Sequence, residues 1–356
     1  MSSTVLVLGG TGAYGAPLIG TLKRAGATCV ALGNEGAGRA RALGVEYRSF
    51  DPAHPDRLTP LLQDAFCFVD ARDPWCVRDA RLIERCAARG VHYLDIADDP
   101  TFVRSIVNEV QRLAKNMRVA VVTGASLGAL DRALLDTYTV GFDTLERIDI
   151  AWSLGNAHPH ARCLVQGWLA LAGAPLAVKQ DGRGRKLRGW SEPLAIRFPA
   201  PLGRRRVYLR DAAHADALPR HFGVQSVQVR LGSARRAFNH SLRLVAGLRN
   251  PARTELPKLA RLLAPLAKAV GRGADRGTGL RLLIEGQYAG ASYRREVFLL
   301  TAQSGPAVVV APAAALVSRW LARGVETAGA YAAAGAVSFA DIKAVLAAED
   351  ATLILQ

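Results

Sequence analysis

Apolar residues run unbroken through Val5–Leu8 and stop at Gly9-Gly10-Thr11-Gly12-Ala13-Tyr14-Gly15. The next stretch, Ala13–Ala25, carries the spacing of a helix, and Gly26 stands where a helix C-cap glycine belongs. Strand and helix signals then alternate. Strands are predicted at Thr28–Leu32, Glu46–Ser49, Phe66–Asp70, His92–Ile96 and Val119–Val122. Helices are predicted at Ala37–Leu43, Pro55–Gln63, Cys76–Arg89, Asp99–Lys115 and Leu130–Gly141. Asp99 or Thr101 caps the fourth of these helices, whose apolar positions are Phe102, Ile106, Val110 and Leu113. Such alternation predicts an α/β fold with a doubly wound parallel sheet.

The pattern changes after Thr144. Arg147–Leu154 alternates apolar and polar residues as a half-buried strand, and Ala161–Ala172 reads as a helix. Leu176–Trp190 reads as a hairpin turning at Asp181-Gly182. Further strands are predicted at Ala195–Phe198, Arg206–Leu209, Ser226–Leu231, Leu280–Tyr288 and Tyr293–Ala302, which makes an inserted α+β domain with an antiparallel sheet. Helices Ala311–Arg323 and Ser338–Leu346 follow, Ser338 and Asp341 forming a capping pair. The expected division is a nucleotide-type domain over 1–144, an α+β substrate or dimerisation domain over 145–305, and a C-terminal segment over 306–356 that returns to the first domain.

The first turn carries the chemistry. Gly10, Gly12 and Gly15 fit G-x-G-x-x-G, with a strand before and a helix after. The first glycine permits a sharp reversal, the second a close approach of backbone to pyrophosphate, the third tight packing of helix on strand. The helix N-terminus adds unpaired N–H groups and partial positive charge. Residues 10 to 15 are therefore candidate pyrophosphate ligands: Gly10, Thr11, Gly12, Ala13, Tyr14 and Gly15. After the second strand, Glu35 lies 20 residues beyond Gly15 and suits the ribose hydroxyls of NAD. Asn34, Arg39 and Arg41 suit a ribose phosphate, so NAD and NADP both stay open.

Composition limits the partners. The chain has 356 residues and a formal net charge of +16, enough length for two domains. Asp181–Arg210 holds nine Lys/Arg against two acids, and Arg230–Arg281 holds twelve against two. This excess attracts anionic small molecules. It comes with no zinc-finger spacing and no aromatic-rich ribonucleoprotein strand, so nucleic acid is not an expected partner. Leu242–Val270 reads as a basic amphipathic helix that covers a sheet or a partner subunit, with peripheral membrane contact as an alternative. Val297–Ser318 is interrupted by Gln303, Gly305, Pro306 and Pro312, which argues against a spanning helix. Five cysteines without C-x-x-C read as reduced thiols, and the N-terminus lacks a basic leader; a cytoplasmic homodimer is expected.

Rival chemistries are few. No tyrosine has a lysine four residues later, so the Tyr-x-x-x-Lys reductase mechanism is not expected. Gly124-Ala125-Ser126-Leu127-Gly128 has the form of a nucleophile elbow, which keeps a serine hydrolase using Ser126 as one alternative. Asp95 and Asp73 end or follow strands at the sheet's C-terminal edge, where they bind ligand or cap helices.

The segments Gly9–Gly15, His92-Tyr93-Leu94-Asp95, Val122-Thr123-Gly124-Ala125-Ser126, Gly189-Trp190, Arg197-Phe198-Pro199 and Tyr208-Leu209-Arg210-Asp211 together resemble the saccharopine dehydrogenase-like oxidoreductases, over about residues 3 to 348. The resemblance implies a Rossmann domain with an inserted mixed domain, a nicotinamide cofactor that is more often NADP than NAD, and hydride transfer at a carbon–nitrogen bond of an amino-acid-derived substrate. Under it Asn34, Glu35 and Arg39 meet the adenosine ribose, and Ala71, Arg72 and Asp73 border the nicotinamide. Asp95, Ser126 and Arg162 become catalytic candidates, with Trp168 beside the substrate. A catalytically silent NAD(P)-binding protein is the other alternative. The chain departs from the family at Asn34, where an arginine is common, at Arg72-Asp73-Pro74-Trp75, where relatives carry Gly-Pro-Phe, and at Gly128-Ala129-Leu130-Asp131-Arg132, where relatives tend to carry Pro-x-Leu-Ser-Ser.

Overall fold

The computed structural model describes residues 4–156, 158, 162–248 and 275–356. The chain forms two compact units. One comprises Met1–Ala133 and Pro306–Ala348, the other Leu134–Gly305 and Glu349–Gln356.

The first unit is built on a parallel sheet. Its strands are β1 (Thr4–Leu8), β2 (Thr28–Gly33), β3 (Glu46–Ser49), β4 (Ala65–Asp70), β5 (His92–Asp95) and β6 (Ala120–Thr123), with Gly329–Ala332 added beside β6. From that added strand inward the order is β6, β5, β4, β1, β2, β3. The order reverses between β1 and β4, which are hydrogen-bonded neighbours. In a doubly wound sheet this switch point opens the crevice in which ligands bind. Val5–Leu8 are at most 1% exposed, as expected of a strand covered on both faces.

The helices follow local sequence logic. Asp99 caps the helix Pro100–Asn116, accepting from Thr101 N at 2.9 Å and Phe102 N at 3.4 Å. Val103, Ile106, Val110 and Ala114 bury its inner stripe. Ser338 Oγ likewise accepts from Asp341 N at the start of Phe339–Leu346. Two expectations change. Pro55–Leu62 is a 3-10 helix with Pro60 inside it, a residue that cannot donate the bond an α-helix needs there. The helix expected from Cys76 begins at Ala80, capped by Asp79.

Gly305–Arg323 is a single 19-residue helix containing Pro312, longer than the predicted Ala311–Arg323. Pro306 sits in the first turn, where a missing N–H costs nothing. The helix is long and apolar enough to cross a membrane, and 78% of its most apolar window is buried inside the structure.

The second unit holds β7 (Phe142–Leu154), β8 (Pro175–Gln180), β9 (Arg183–Arg188), β10 (Leu194–Arg197), β11 (Arg204–Leu209), β12 (Ser226–Ser233), β13 (Thr278–Tyr288) and β14 (Ala291–Thr301). The sheet order is β10, β11, β12, β7, β13, β14, followed by Ala351–Leu355, and β8 pairs with β12 and β9. The sheet is mixed, not antiparallel throughout: β12 runs parallel to β7 from Ser226 opposite Arg147 to Ser233 opposite Leu154. The long connection between the two strands permits that pairing. The turn at Asp181-Gly182 closes β8 on β9 as a hairpin. Ala351–Leu355 pairs with β14, so the last residues of the 306–356 segment add to this sheet and not to the first. Leu242–Leu248 falls in the helix Arg236–Leu248. The remainder of the Leu242–Val270 stretch lies outside the described residues from position 249.

Candidate dinucleotide site

The turn after β1 is tightly wound. Gly9 N donates to Leu32 O at 2.8 Å, Gly10 N to Val7 O at 3.1 Å and Gly12 N to Gly9 O at 2.8 Å. Gly15 opens the helix Gly15–Arg24 directly over this loop. A methyl group there would lie 2.2 Å from Gly9 O, so no other residue fits. The helix therefore starts against the loop and points its unpaired N–H groups across it, as a pyrophosphate cradle requires. This is a cradle that side chains would fill, and the glycines present fit a dinucleotide. Thr11 reaches the other way. Its Oγ1 lies 3.4 Å from Glu35 O, and Gly36 packs so closely that a methyl there would meet Thr11 Oγ1 at 2.2 Å. The first turn and the loop after β2 thus form one surface.

On that surface Asn34, Glu35 and Arg39 are exposed. Asn34 is hydrogen-bonded to the Asp51 side chain, which helps hold that carboxyl below its ordinary range after the larger effect of Ala53 N–H. The loops after β2 and β3 thus carry two carboxylates, Glu35 and Asp51, with Arg39 on the helix that follows β2.

The loop after β4 closes the opposite side. Ala71 N donates to Leu8 O at 2.9 Å. Arg72 backs onto Gly9, whose notional methyl would lie 3.2 Å from Arg72 N and Cα. Asp70 is fully buried. Arg72 binds it with Nε at 2.9 Å and an NH2 group at 2.6 Å, and Arg78 lies 3.6 Å away with a side chain only 1% exposed. Burial alone would protonate Asp70, but Arg72 and Arg78 outweigh it and hold the carboxyl below its usual range. Arg78 also donates to the carbonyls of Pro74 at 3.2 Å, Cys76 at 3.0 Å and Arg72 at 3.3 Å. One guanidinium thus gathers the whole 72–76 loop. The sequence reading missed Arg78. The available signal was Asp70 itself: a carboxylate ending a wholly apolar strand is buried and needs cationic partners.

Asp73 sits in this loop. Its Oδ1 accepts from Trp75 N at 2.9 Å, whereas Oδ2 is buried without a hydrogen-bond partner among the described residues. Burial pushes its pKa up to about 6. Tyr14, at the end of the glycine turn, is 3% exposed. Burial holds its phenol well above the ordinary value, reinforced by the charges of Asp73 and Asp98 and by Cys76. The structure thus brings Tyr14 close to Asp73, on the loop that Arg72 opens.

It redirects others. Asp95 has no exposed surface. Its Oδ1 accepts from Ala97 N at 2.9 Å, Thr123 Oγ1 at 3.0 Å and Gly124 N at 2.9 Å, which ties β5 to β6. It stands opposite Asp70 in register. Burial raises its pKa despite Arg78. Ser126 is 1% exposed and donates to Ala97 O at 3.3 Å. The positive φ of that loop, 76°, falls on Gly124, so the serine is not presented as an elbow nucleophile would be. Both residues are buried and tie the loop together, while Asp95 Oδ2 has no hydrogen-bond partner among the described residues. Arg162 is exposed at the first position of Arg162–Leu171 in the second unit. Trp168, 1% exposed, packs tilted against Trp190 and stacks on Phe238 at centroid distances of 5.2 and 5.6 Å and is core. His92 also has a structural role: Ala120 N donates to its Nδ1 at 3.0 Å. The described cysteines are free thiols, three buried and two partly so.

Residues 5–123 match the family described as the saccharopine dehydrogenase NADP binding domain. A search of curated protein sequences finds no match. Among solved structures, the chain is similar to apo saccharopine dehydrogenase (L-Glu forming) from Saccharomyces cerevisiae, with 11% identity, a TM-score of 0.70 and 99% of both chains covered. That likeness establishes a shared fold. Amine dehydrogenase from Mycobacterium smegmatis gives a TM-score of 0.48 at 10% identity, covering 92% of this chain and 94% of the other. A meso-dapdh mutant with DAP from Clostridium tetani E88 gives 0.45 at 12% identity, covering 95% of both.

Proposed function

We propose that this chain, whose N-terminal unit is a saccharopine dehydrogenase-like dinucleotide-binding domain, is an NAD(P)-dependent oxidoreductase acting at a carbon–nitrogen bond of a small anionic substrate. The observation that carries the reading is the Gly9–Gly15 turn, with Gly15 pressed on Gly9 O beside the β1–β4 switch point. Gly10, Thr11, Gly12, Ala13, Tyr14 and Gly15 would hold the pyrophosphate. Asn34, Glu35 and Arg39 would meet the adenosine ribose, and Ala71, Arg72 and Asp73 would border the nicotinamide. The family description and the fold support this reading, and the imine-type reaction rests on the resemblance.

The bound nicotinamide would supply or accept a hydride. The protein's own residues would then orient, enclose and manage protons. Arg78 and Asp70 fix the 72–76 loop, and with it the position of Asp73. Asp73 Oδ2 holds a proton below about pH 6 and releases it above, which suits proton exchange with an amine or imine nitrogen near neutrality. Asp95 and Ser126 act as positioning residues for the adjoining loop.

The test is titration with NADPH and with NADH, followed by turnover on a panel of amino acid and 2-oxo acid pairs. Nucleotide binding with imine reduction supports the reading. Absence of nucleotide binding at millimolar concentration contradicts it. Nucleotide binding without turnover across the panel would leave the silent binding protein as the better account.

A further inference from the structure

The second unit has a cavity of about 330 Å3 lined by Arg204, Arg206, Tyr208, Arg236, Asn239 and His240. Arg204, Arg206 and Tyr208 alternate along β11, so they share one face of the strand. Arg236 and His240 stand one turn apart on Arg236–Leu248 and share one face of that helix. Asn239 fixes the helix to the sheet: its Oδ1 accepts from Ser233 N at 2.9 Å and its Nδ2 donates to Ser233 O at 2.7 Å.

Two features mark this cavity as a binding site and not a solvated basic face. First, Arg205, whose side chain is 6% exposed, is neutralised by Asp275 at 2.7 Å, whereas Arg204, Arg206 and Arg236 make no ion pair among the described residues. Second, Tyr208 is fully buried and its phenol oxygen has no hydrogen-bond partner among the described residues. Its ring is locked parallel to Trp190 at 5.8 Å and 9°. An unsatisfied buried hydroxyl costs free energy unless a ligand completes it.

We infer that this cavity binds a small polyanion bearing phosphate or carboxylate groups. The three guanidiniums would take its oxygens in forked pairs, and the Tyr208 O–H would donate to the innermost one. The inference is independent of the nucleotide reading, because every residue it uses lies in the second unit.

The test is calorimetric titration, without nucleotide, of the full chain and of its Gly15→Ala variant, in which the glycine turn that would itself hold a pyrophosphate is displaced, with pyrophosphate in one arm and citrate in the other, at about 0.15 M salt. Saturable binding near 1:1 that survives Gly15→Ala is expected in at least one arm, and the stronger arm distinguishes phosphate from carboxylate. The double variant Arg206→Ala/Arg236→Ala should weaken it at least about tenfold, and Tyr208→Phe by several-fold. The charge-matched control Arg183→Ala/Arg188→Ala on the exposed β9 hairpin should leave affinity unchanged. Thermal melts confirm folding of each variant, and the arginines concerned are exposed. No saturable binding in either arm would overturn the inference, as would equal weakening in both double variants, which indicates diffuse electrostatic attraction only.

Discussion

Arg72 turns back onto Asp70, two residues earlier in the chain, and grips both carboxylate oxygens at 2.9 and 2.6 Å. Its own backbone meanwhile lies against Gly9. The loop after β4 and the glycine turn after β1 are therefore positioned by the same residue. This pairing sits at the switch point of the sheet and depends on a second cation, Arg78, packed inside the loop.

Removing Arg78 should accordingly be costly. Arg78→Met leaves Asp70 buried with one cationic partner and frees the carbonyls of Arg72, Pro74 and Cys76. Breaking a buried pair from one side typically costs about 3–5 kcal/mol. Urea unfolding should show a loss of that size, and the Asp70→Asn/Arg78→Met double variant should recover part of it.

Asp73 should impose a measurable pH dependence. Its folded pKa of about 6 lies above the ordinary carboxyl value, so the folded state binds the proton more tightly than the unfolded chain. The stability it contributes is complete below about pH 4 and is lost as pH rises through about 6. Asp70 and Asp350 act in the opposite sense, since their pKa values are lowered, Asp350 to about 2. Chemical unfolding of the native chain and of Asp73→Asn between pH 4 and 7 isolates the difference. The variant should lose less stability across that window, and identical slopes would contradict the assignment.

Asn34 should tune coenzyme choice. It is exposed, held by Asp51 and flanked by Glu35, so no guanidinium stands at that position for a ribose phosphate. Asn34→Arg should raise affinity for NADPH relative to NADH by about tenfold, the worth of one charge-assisted hydrogen bond. Parallel fluorescence titrations with the two coenzymes read the ratio directly.

Much of the first unit was legible because local signals and global fold agree there. The apolar run of β1, the glycine turn and the Asp99 cap each have a short-range physical cause, as does the Asp181-Gly182 hairpin of the second unit. What sequence missed was long-range. Arg78 finds Asp70 only once the loop has folded, and the parallel pairing of β12 with β7 joins segments more than 70 residues apart. Gly329–Ala332 and Ala351–Leu355 are short edge strands fixed by their neighbours. Pro312 argued for a break where the packed helix tolerates it. Asp95 and Ser126 carried reactive groups in suggestive positions, and their burial and their hydrogen bonds to the neighbouring loop became visible only in the fold.

The central claim is that the Gly9–Gly15 turn binds a dinucleotide. Calorimetric titration of the full chain with NADPH and with NADH, repeated on Gly15→Ala, tests it most directly. The methyl added at Gly15 would meet Gly9 O at 2.2 Å, so it must displace the loop, at a cost of about 1–3 kcal/mol in stability. The account predicts saturable binding near 1:1 for at least one coenzyme and its loss in the folded Gly15→Ala variant. No binding of either coenzyme at millimolar concentration, or binding unchanged by the substitution, would contradict it.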